Sequence, residues 1–425
     1  MSRAFSYTDR RMGCRLRLGA VFFFFICNCL AWAPAAVCMA GSDPSAFDFS
    51  SLATMLGARD AVMVAAPDGR VLLAHNPDLE LIPASTLKLL TSLAALHYLT
   101  PDFRFTTAFY LGKDDGLKIE GRGDPLLISE VVREIAALLA KELAASGARP
   151  RRLVLDNTFF RTPVIIPGVS GSSEPYDAPN GALCVNFNTI NFKKERGAFV
   201  SAEPQTPLLP SVLPRVKASG LRQGRITLSH NQDEITRYAG HLFNYFFKAE
   251  GLPIAGGTTI GKVTSPDRLL LSYRSRFSLE QLVAKMLAYS NNFMANQVFL
   301  YLGAAEYGAP GTLEKGAMAV VAYARNELGL ERFTVREGSG ISRLNRLTAG
   351  EMMTVLKAFE PYHGLMRNEG RHFFKTGHLR GIRTQVGYYE IPARGRYRYV
   401  VFLNTPGKSM LPIERRLLKI LESNP

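Results

Sequence analysis

The sequence predicts a mixed α/β (α+β) fold, an antiparallel sheet flanked by helices, with a strand-rich domain inserted into the chain. Three observations carry this. Residues 373–378, 385–389 and 397–403 read as three strands of an antiparallel sheet. Upstream, Leu279, Leu282, Val283, Met286 and Leu287 recur at a period near 3.6 behind a capping box of Ser278 and Gln281. Between Pro101 and about Pro266 the texture changes, as short apolar runs such as Leu153-Val154-Leu155 alternate with Pro- and Gly-rich loops at 162–181 and 204–214.

Residues 1–40 have the features of an export signal. Arg3, Arg10, Arg11, Arg15 and Arg17 precede an apolar run from Leu18 to Trp32, shorter than the roughly 20 residues of a bilayer span. Cys38-Met39-Ala40 suits cleavage after Ala40, and an uncleaved anchor is the alternative. Four of the five cysteines (14, 27, 29 and 38) fall in this leader, so Cys184 alone would remain and no internal disulfide could form. The chain beyond the leader is expected to divide into a discontinuous domain, 41–104 and 267–425, interrupted by the strand-rich insertion 105–266.

The formal charge is +15, of which the leader holds +4 (five Arg less Asp9), leaving +11. No aromatic-and-basic binding motif is present, so nucleic acid is not expected as a partner; in an exported chain an anionic envelope polymer or a membrane face is the better match for this charge. No metal or cofactor is expected.

After the leader, Ala61-Val62-Met63-Val64-Ala65 and Val71-Leu72-Leu73-Ala74 flank the turn Pro67-Asp68-Gly69-Arg70, a hairpin that delivers the chain to Pro83-Ala84-Ser85-Thr86-Leu87-Lys88. Leu89, Leu93 and Leu96 follow at helical spacing, which places Ser85 in the first turn of a buried helix and Lys88 three residues on, on the same face. A serine hydroxyl becomes a nucleophile when a neighbouring base takes its proton, and a lysine can be that base if burial or another cation lowers its pKa. Ser290-Asn291-Asn292 lies where one apolar helix ends and another, 293–302, begins, so Ser290 and Asn292 are held rigidly. The rival Ser229-His230-Asn231 follows a strand-like run and reads as a turn. Lys375-Thr376-Gly377 on an edge strand offers a cation and a hydroxyl to a carboxylate, with Gly377 leaving room for an acyl chain. Residues 411–421 form a short basic amphipathic helix, read as packed against the body, with a membrane-surface role as the alternative.

In this order, Ser85-x-x-Lys88, Ser290-x-Asn292 and Lys375-Thr376-Gly377 form the signature of penicillin-binding proteins and serine β-lactamases. Together with Gly123-Asp124-Pro125, Ala178-Pro179 and Gly338-Ser339-Gly340-Ile341-Ser342-Arg343, the chain resembles the low-molecular-mass D-alanyl-D-alanine carboxypeptidase/endopeptidase family of penicillin-binding proteins, in which an extra domain separates the first two motifs. That resemblance implies a penicillin-recognising, β-lactamase-like fold and removal of D-alanine from peptidoglycan stem peptides through an acyl-enzyme on Ser85, with β-lactams as covalent inhibitors. It further implies Lys88 as base, Ser290 as proton relay, Asn292 as orienting amide, and Lys375 with Thr376 as carboxylate binders. Asp156, at the end of a strand-like run, matches a family acid that in some members meets the free amine of the stem, with a turn-forming role as the alternative. His378 stands where the family has Ser or Thr, its backbone N–H still available to an oxyanion, and only 27 positions separate Thr348 from Lys375, which points to a trimmed loop. Glu337 stands where Asp often precedes Gly-Ser-Gly, a loop read as shaping the cleft wall. A β-lactamase-like hydrolase and a catalytically weak envelope-binding or sensory protein on the same fold are the alternatives.

Overall fold

The computed structural model describes residues 47–423. The leader, with its arginines, its four cysteines and its cleavage site, lies outside the described residues, which form one compact unit.

A short helix, α1 (Ser50–Ala53), leads into the hairpin β1 (Asp60–Ala65) and β2 (Val71–His75), close to the runs that alternation predicts. The Ser85 segment and α2 (Lys88–Leu99) come after it. The inserted region then begins with β3 (Thr106–Leu111), β4 (Gly116–Gly121), α3 (Ser129–Ser146) and β5 (Arg152–Asp156). It continues through β6 (Thr189–Glu195), β7 (Ala198–Ser201), α4 (Leu213–Ala218), β8 (Gln223–Thr227), α5 (Gln232–Ala249), β9 (Thr258–Ile260) and β10 (Arg268–Arg274). Helices α6 (Leu279–Ala288), α7 (Asn292–Tyr307), α8 (Leu313–Asn326) and α9 (Ala349–Phe359) come next, before β11 (Arg367–Glu369), β12 (His372–Leu379), β13 (Ile382–Ile391), β14 (Gly395–Leu403) and α10 (Met410–Ser423).

The largest sheet, of six strands, has the order β11-β12-β13-β14-β1-β2 and is antiparallel throughout. Its alternating side chains serve two cores. Ala61, Met63, Val386, Tyr388, Val400 and Phe402 face α2, α6, α7, α8 and α9, whereas Val62, Val64, Tyr399, Val401 and Leu403 face α10 and α1. Each aliphatic side chain so buried is worth about 1.5–3 kcal/mol. Helix α10 is packed, its Ile413, Leu417, Ile420 and Leu421 being buried against the sheet.

The inserted region is less strand-dominated than its loops imply. A five-stranded sheet, β10-β3-β4-β5-β9, carries the two 18-residue helices α3 and α5, and a three-stranded sheet β7-β6-β8 sits beside them. Because β4 and β5 run parallel, the chain needs a crossover between them, and α3 is that crossover. Strand β10 pairs with β3, so a domain boundary at 266/267 would cut this sheet; the return to helices α6–α9 comes after Arg274. The rival Ser-x-Asn is a helix start, with Asn231 capping α5 by accepting from Asp233 N and Glu234 N.

Candidate active site

Ala84–Leu87 forms one 3-10 turn and the α-helix begins only at Lys88. Ser85 therefore stands on the turn leading into the helix, one step earlier than periodicity predicts. Ala84 has a left-handed backbone, φ +47°, a conformation that costs a non-glycine residue ~1–3 kcal/mol. Its surroundings hold it there. Thr384 Oγ1 on β13 donates to the Pro83 carbonyl at 2.8 Å. Gly340, φ +84°, lies so close that a Cβ there would sit 1.9 Å from the Ala84 carbonyl oxygen. A Cβ on Gly377 would meet Thr384 Oγ1 at 2.2 Å and Ser85 N at 2.8 Å. The space left by Gly377 is thus taken by the turn that carries Ser85, not by an acyl chain as the strand pattern alone suggests.

Lys88 is fully buried. Its Nζ lies 3.0 Å from Ser85 Oγ, 2.8 Å from Asn292 Oδ1 and 2.7 Å from the Ser339 carbonyl. Burial, then the charge of Lys375, drive its pKa well below the ordinary lysine value, while Glu337 opposes them. This geometry fits a neutral amine. The Asn292 and Ser339 oxygens can only accept, so they take its two N–H groups, and the lone pair is left for the Ser85 hydroxyl proton.

Ser290, φ +50°, is the joint between α6 and α7, and Asn291 caps α7 by accepting from Met294 N. Two candidate site residues, Ser290 and Asn292, therefore flank a capping residue. Lys375 Nζ donates to Ser290 Oγ and to the Thr376 carbonyl, both at 2.7 Å. Burial first, then Arg367, push its pKa down to about 7. Asn292 Nδ2 also reaches the Tyr176 carbonyl of the inserted region, at 3.3 Å.

Glu337 is buried behind this group. Its carboxylate accepts from Ser339 N and Oγ, Gly340 N, Ser342 N and Asn345 Nδ2 at 2.6–3.2 Å. The Gly-Ser-Gly loop is thereby folded so that the Ser339 carbonyl points at Lys88. Sequence reasoning misses this contact, and the acid before the loop is its one signal.

The cleft has a volume of about 770 Å3, and Ser85, Ser290, Asn292, Thr376 and His378 line it. The inserted region supplies the opposite wall with Pro167, Gly168 and Tyr176, and Arg343, Arg380 and Arg383 stand at its edge. Partial burial, then Arg383 and Lys375, hold the His378 imidazole below the usual histidine range. Asp156 is not brought here. It is buried at the end of β5, where Oδ1 accepts from Thr158 N and Oγ1 and Oδ2 accepts from Val263 N, so its carboxylate is spent on a local latch. No cluster of three or more metal-ligating side chains occurs among the described residues.

The model of the D-Ala-D-Ala carboxypeptidase 3 (S13) family matches residues 53–217 and 222–365. The chain belongs to this family. A relative, the D-alanyl-D-alanine carboxypeptidase of Actinomadura sp. (strain R39), is 27% identical over 345 residues, 69% of this chain. The chain spans only 63% of that relative's length. In fold it is similar to penicillin binding protein 4 from Haemophilus influenzae, with a TM-score of 0.71 at 19% identity over 88% of this chain and 99% of that one. A predatory endopeptidase from Bdellovibrio bacteriovorus is similar at a TM-score of 0.50 and 15% identity, over 86% of this chain and 92% of that one. The fold is that of a low-molecular-mass penicillin-binding protein.

Proposed function

We propose that this S13 family member is a serine D-alanyl-D-alanine carboxypeptidase of peptidoglycan stem peptides, penicillin-binding, with DD-endopeptidase action on cross-links as a second activity of the same site. One observation carries the proposal: a fully buried lysine amine 3.0 Å from an accessible serine hydroxyl, its remaining bonds all made to acceptors. Ser85 Oγ attacks the carbonyl carbon of the penultimate D-alanine as Lys88 takes its proton. The oxyanion faces the backbone N–H groups of Ser85 and His378. Ser290 returns a proton to the leaving amine of the terminal D-alanine, whose carboxylate is held by Lys375 and Thr376, and water then attacks the acyl-enzyme.

The leader supports export to the periplasm or cell envelope, and no helix among the described residues is long and apolar enough to cross a membrane. The +11 charge beyond the leader favours contact with an anionic envelope polymer or a membrane surface.

Fluorescent penicillin tests the chemistry. A β-lactam presents the same kind of amide, so the wild type is expected to carry a stable label on a denaturing gel, mapped to Ser85, and to release D-alanine from a stem pentapeptide. A label lost within seconds would instead mark a β-lactamase. No label on folded protein would mark a binding or sensory module, and an adduct on Ser290 or Ser339 would overturn the assignment.

A further inference from the structure

A second cavity of about 520 Å3 lies between the inserted region and helices α6 and α7. Its wall toward the cleft is two segments thick, and consecutive residues of each are shared out between the two cavities. Pro175 lines the second cavity while Tyr176 and Asp177 line the cleft; Tyr289, Asn291 and Phe293 line the second cavity while Ser290 and Asn292 line the cleft. The Asn292 Nδ2 to Tyr176 carbonyl bond ties the two segments together. Whatever displaces Asn291 or Phe293 on one side must move Ser290 or Asn292 on the other.

The lining of this cavity defines what it could take. Leu126, Phe187, Phe277, Phe293 and Met294 give it an apolar interior. Of its charged groups, Arg225 is engaged by Glu203 and by Thr189 Oγ1. Lys285 lies with Nζ 5.5 Å from the centroid of the Phe277 ring, and Glu130 sits in the first turn of α3. Among the described residues neither has a partner of opposite charge at ion-pair distance. An apolar chamber with one available cation and one available anion at its edge complements a ligand bearing an ammonium, a carboxylate and apolar side chains.

We propose that this cavity binds a small zwitterion with apolar side chains, an amino acid or dipeptide, and that its occupancy alters acylation through Ser290 and Asn292. The occupant is an effector, and the coupling arm rests on the acyl-enzyme reading above.

Isothermal titration of the full chain with the dipeptide phenylalanyl-phenylalanine is expected to show one site. N-acetyl-phenylalanyl-phenylalanine amide, which lacks both charges, is expected to bind about tenfold more weakly, as is the free dipeptide to Lys285→Glu and to Glu130→Lys. Saturating dipeptide is expected to change the rate of penicillin acylation about threefold in the wild type and not in Lys285→Glu, a variant that leaves the cleft intact and so separates this effect from competition at Ser85. Thermal melts by circular dichroism confirm that each variant is folded. Absence of binding, equal binding of the blocked dipeptide, or indifference to both substitutions would overturn the site. Binding with an unchanged acylation rate would overturn the coupling. A wild type that takes no penicillin even without dipeptide would refute the catalytic proposal, while the calorimetry still decides the cavity.

Discussion

Thr384 Oγ1 donates a 2.8 Å hydrogen bond to the carbonyl of Pro83, a residue 301 positions earlier and two before the nucleophile. The strand beside Lys375 thereby fixes the turn that carries Ser85. Thr384→Val keeps the shape and removes this donor; the Pro83 carbonyl still accepts from Thr86 Oγ1 at 2.7 Å and Thr86 N at 3.3 Å, so the cost is that of one hydrogen bond, about 0.5–1.5 kcal/mol. The melting temperature is expected to fall, and acylation by fluorescent penicillin to slow about tenfold as Ser85 loses its alignment. A variant that melts lower yet acylates at the wild-type rate would show that the bond serves stability alone.

Lys88→Met replaces a buried amine with an apolar side chain of similar length. The fold is expected to persist because the desolvation cost of the amine disappears with it, whereas acylation should drop by at least about a thousandfold. Stopped-flow acylation beside a thermal melt checks both halves, and a variant that still acylates near the wild-type rate would mean another base.

Lys375 titrates at about 7 in the folded protein against an ordinary lysine value of 10.5. Loss of its charge weakens capture of the substrate carboxylate, so kcat/KM is expected to fall as pH rises through about 7. Because bound carboxylate holds the proton on, kcat should fall less. Stability moves the other way: between these two values the unfolded chain binds a proton that the folded one does not, so stability rises with pH. Pentapeptide kinetics and melts from pH 6 to 9 read the two effects, and Arg367→Ala should move the kinetic limb to higher pH by removing a neighbouring cation.

Glu337→Gln keeps the size of the side chain but withdraws its charge from five backbone and side-chain donors around Ser339, and the protein is expected to lose about 2–3 kcal/mol. Since the Glu337 charge favours protonated Lys88, its loss should also shift the acidic limb of acylation to lower pH. An unchanged limb would mean that the carboxylate acts on the loop and not on the amine.

Gly340→Ala would place a methyl 1.9 Å from the Ala84 carbonyl at a backbone φ of +84°. The nucleophile turn cannot yield while Thr384 holds Pro83, so acylation is expected to vanish even where the protein still folds, and intact labelling of Gly340→Ala would show that the turn has slack.

Ser85 with Lys88, Ser290 with Asn292, and Lys375 with Thr376 were each legible in the sequence, because each pair lies within one element or one joint and short-range geometry places its members. The hairpin and the three terminal strands were legible for the same reason, as alternation is a local property. The strand-rich reading of the insertion passes over helices α3 and α5: Val131, Val132, Ile135 and Leu139 keep helical spacing in α3, but the Pro- and Gly-rich loops of the region masked the pattern. Local rules could not supply the bond from Thr384 to Pro83, the Ser339 carbonyl as a partner of Lys88, or the nucleophile turn as the reason for Gly377. Nor could they show that the Asp156 carboxylate is spent on Thr158 and Val263. Most of these depend on which distant segments become neighbours, and for the strands on their register. Only the order β12-β13-β14-β1 sets Thr384 beside the nucleophile turn, and only the packing of the Gly338–Gly340 loop against that turn buries Lys88 deeply enough to lower its pKa.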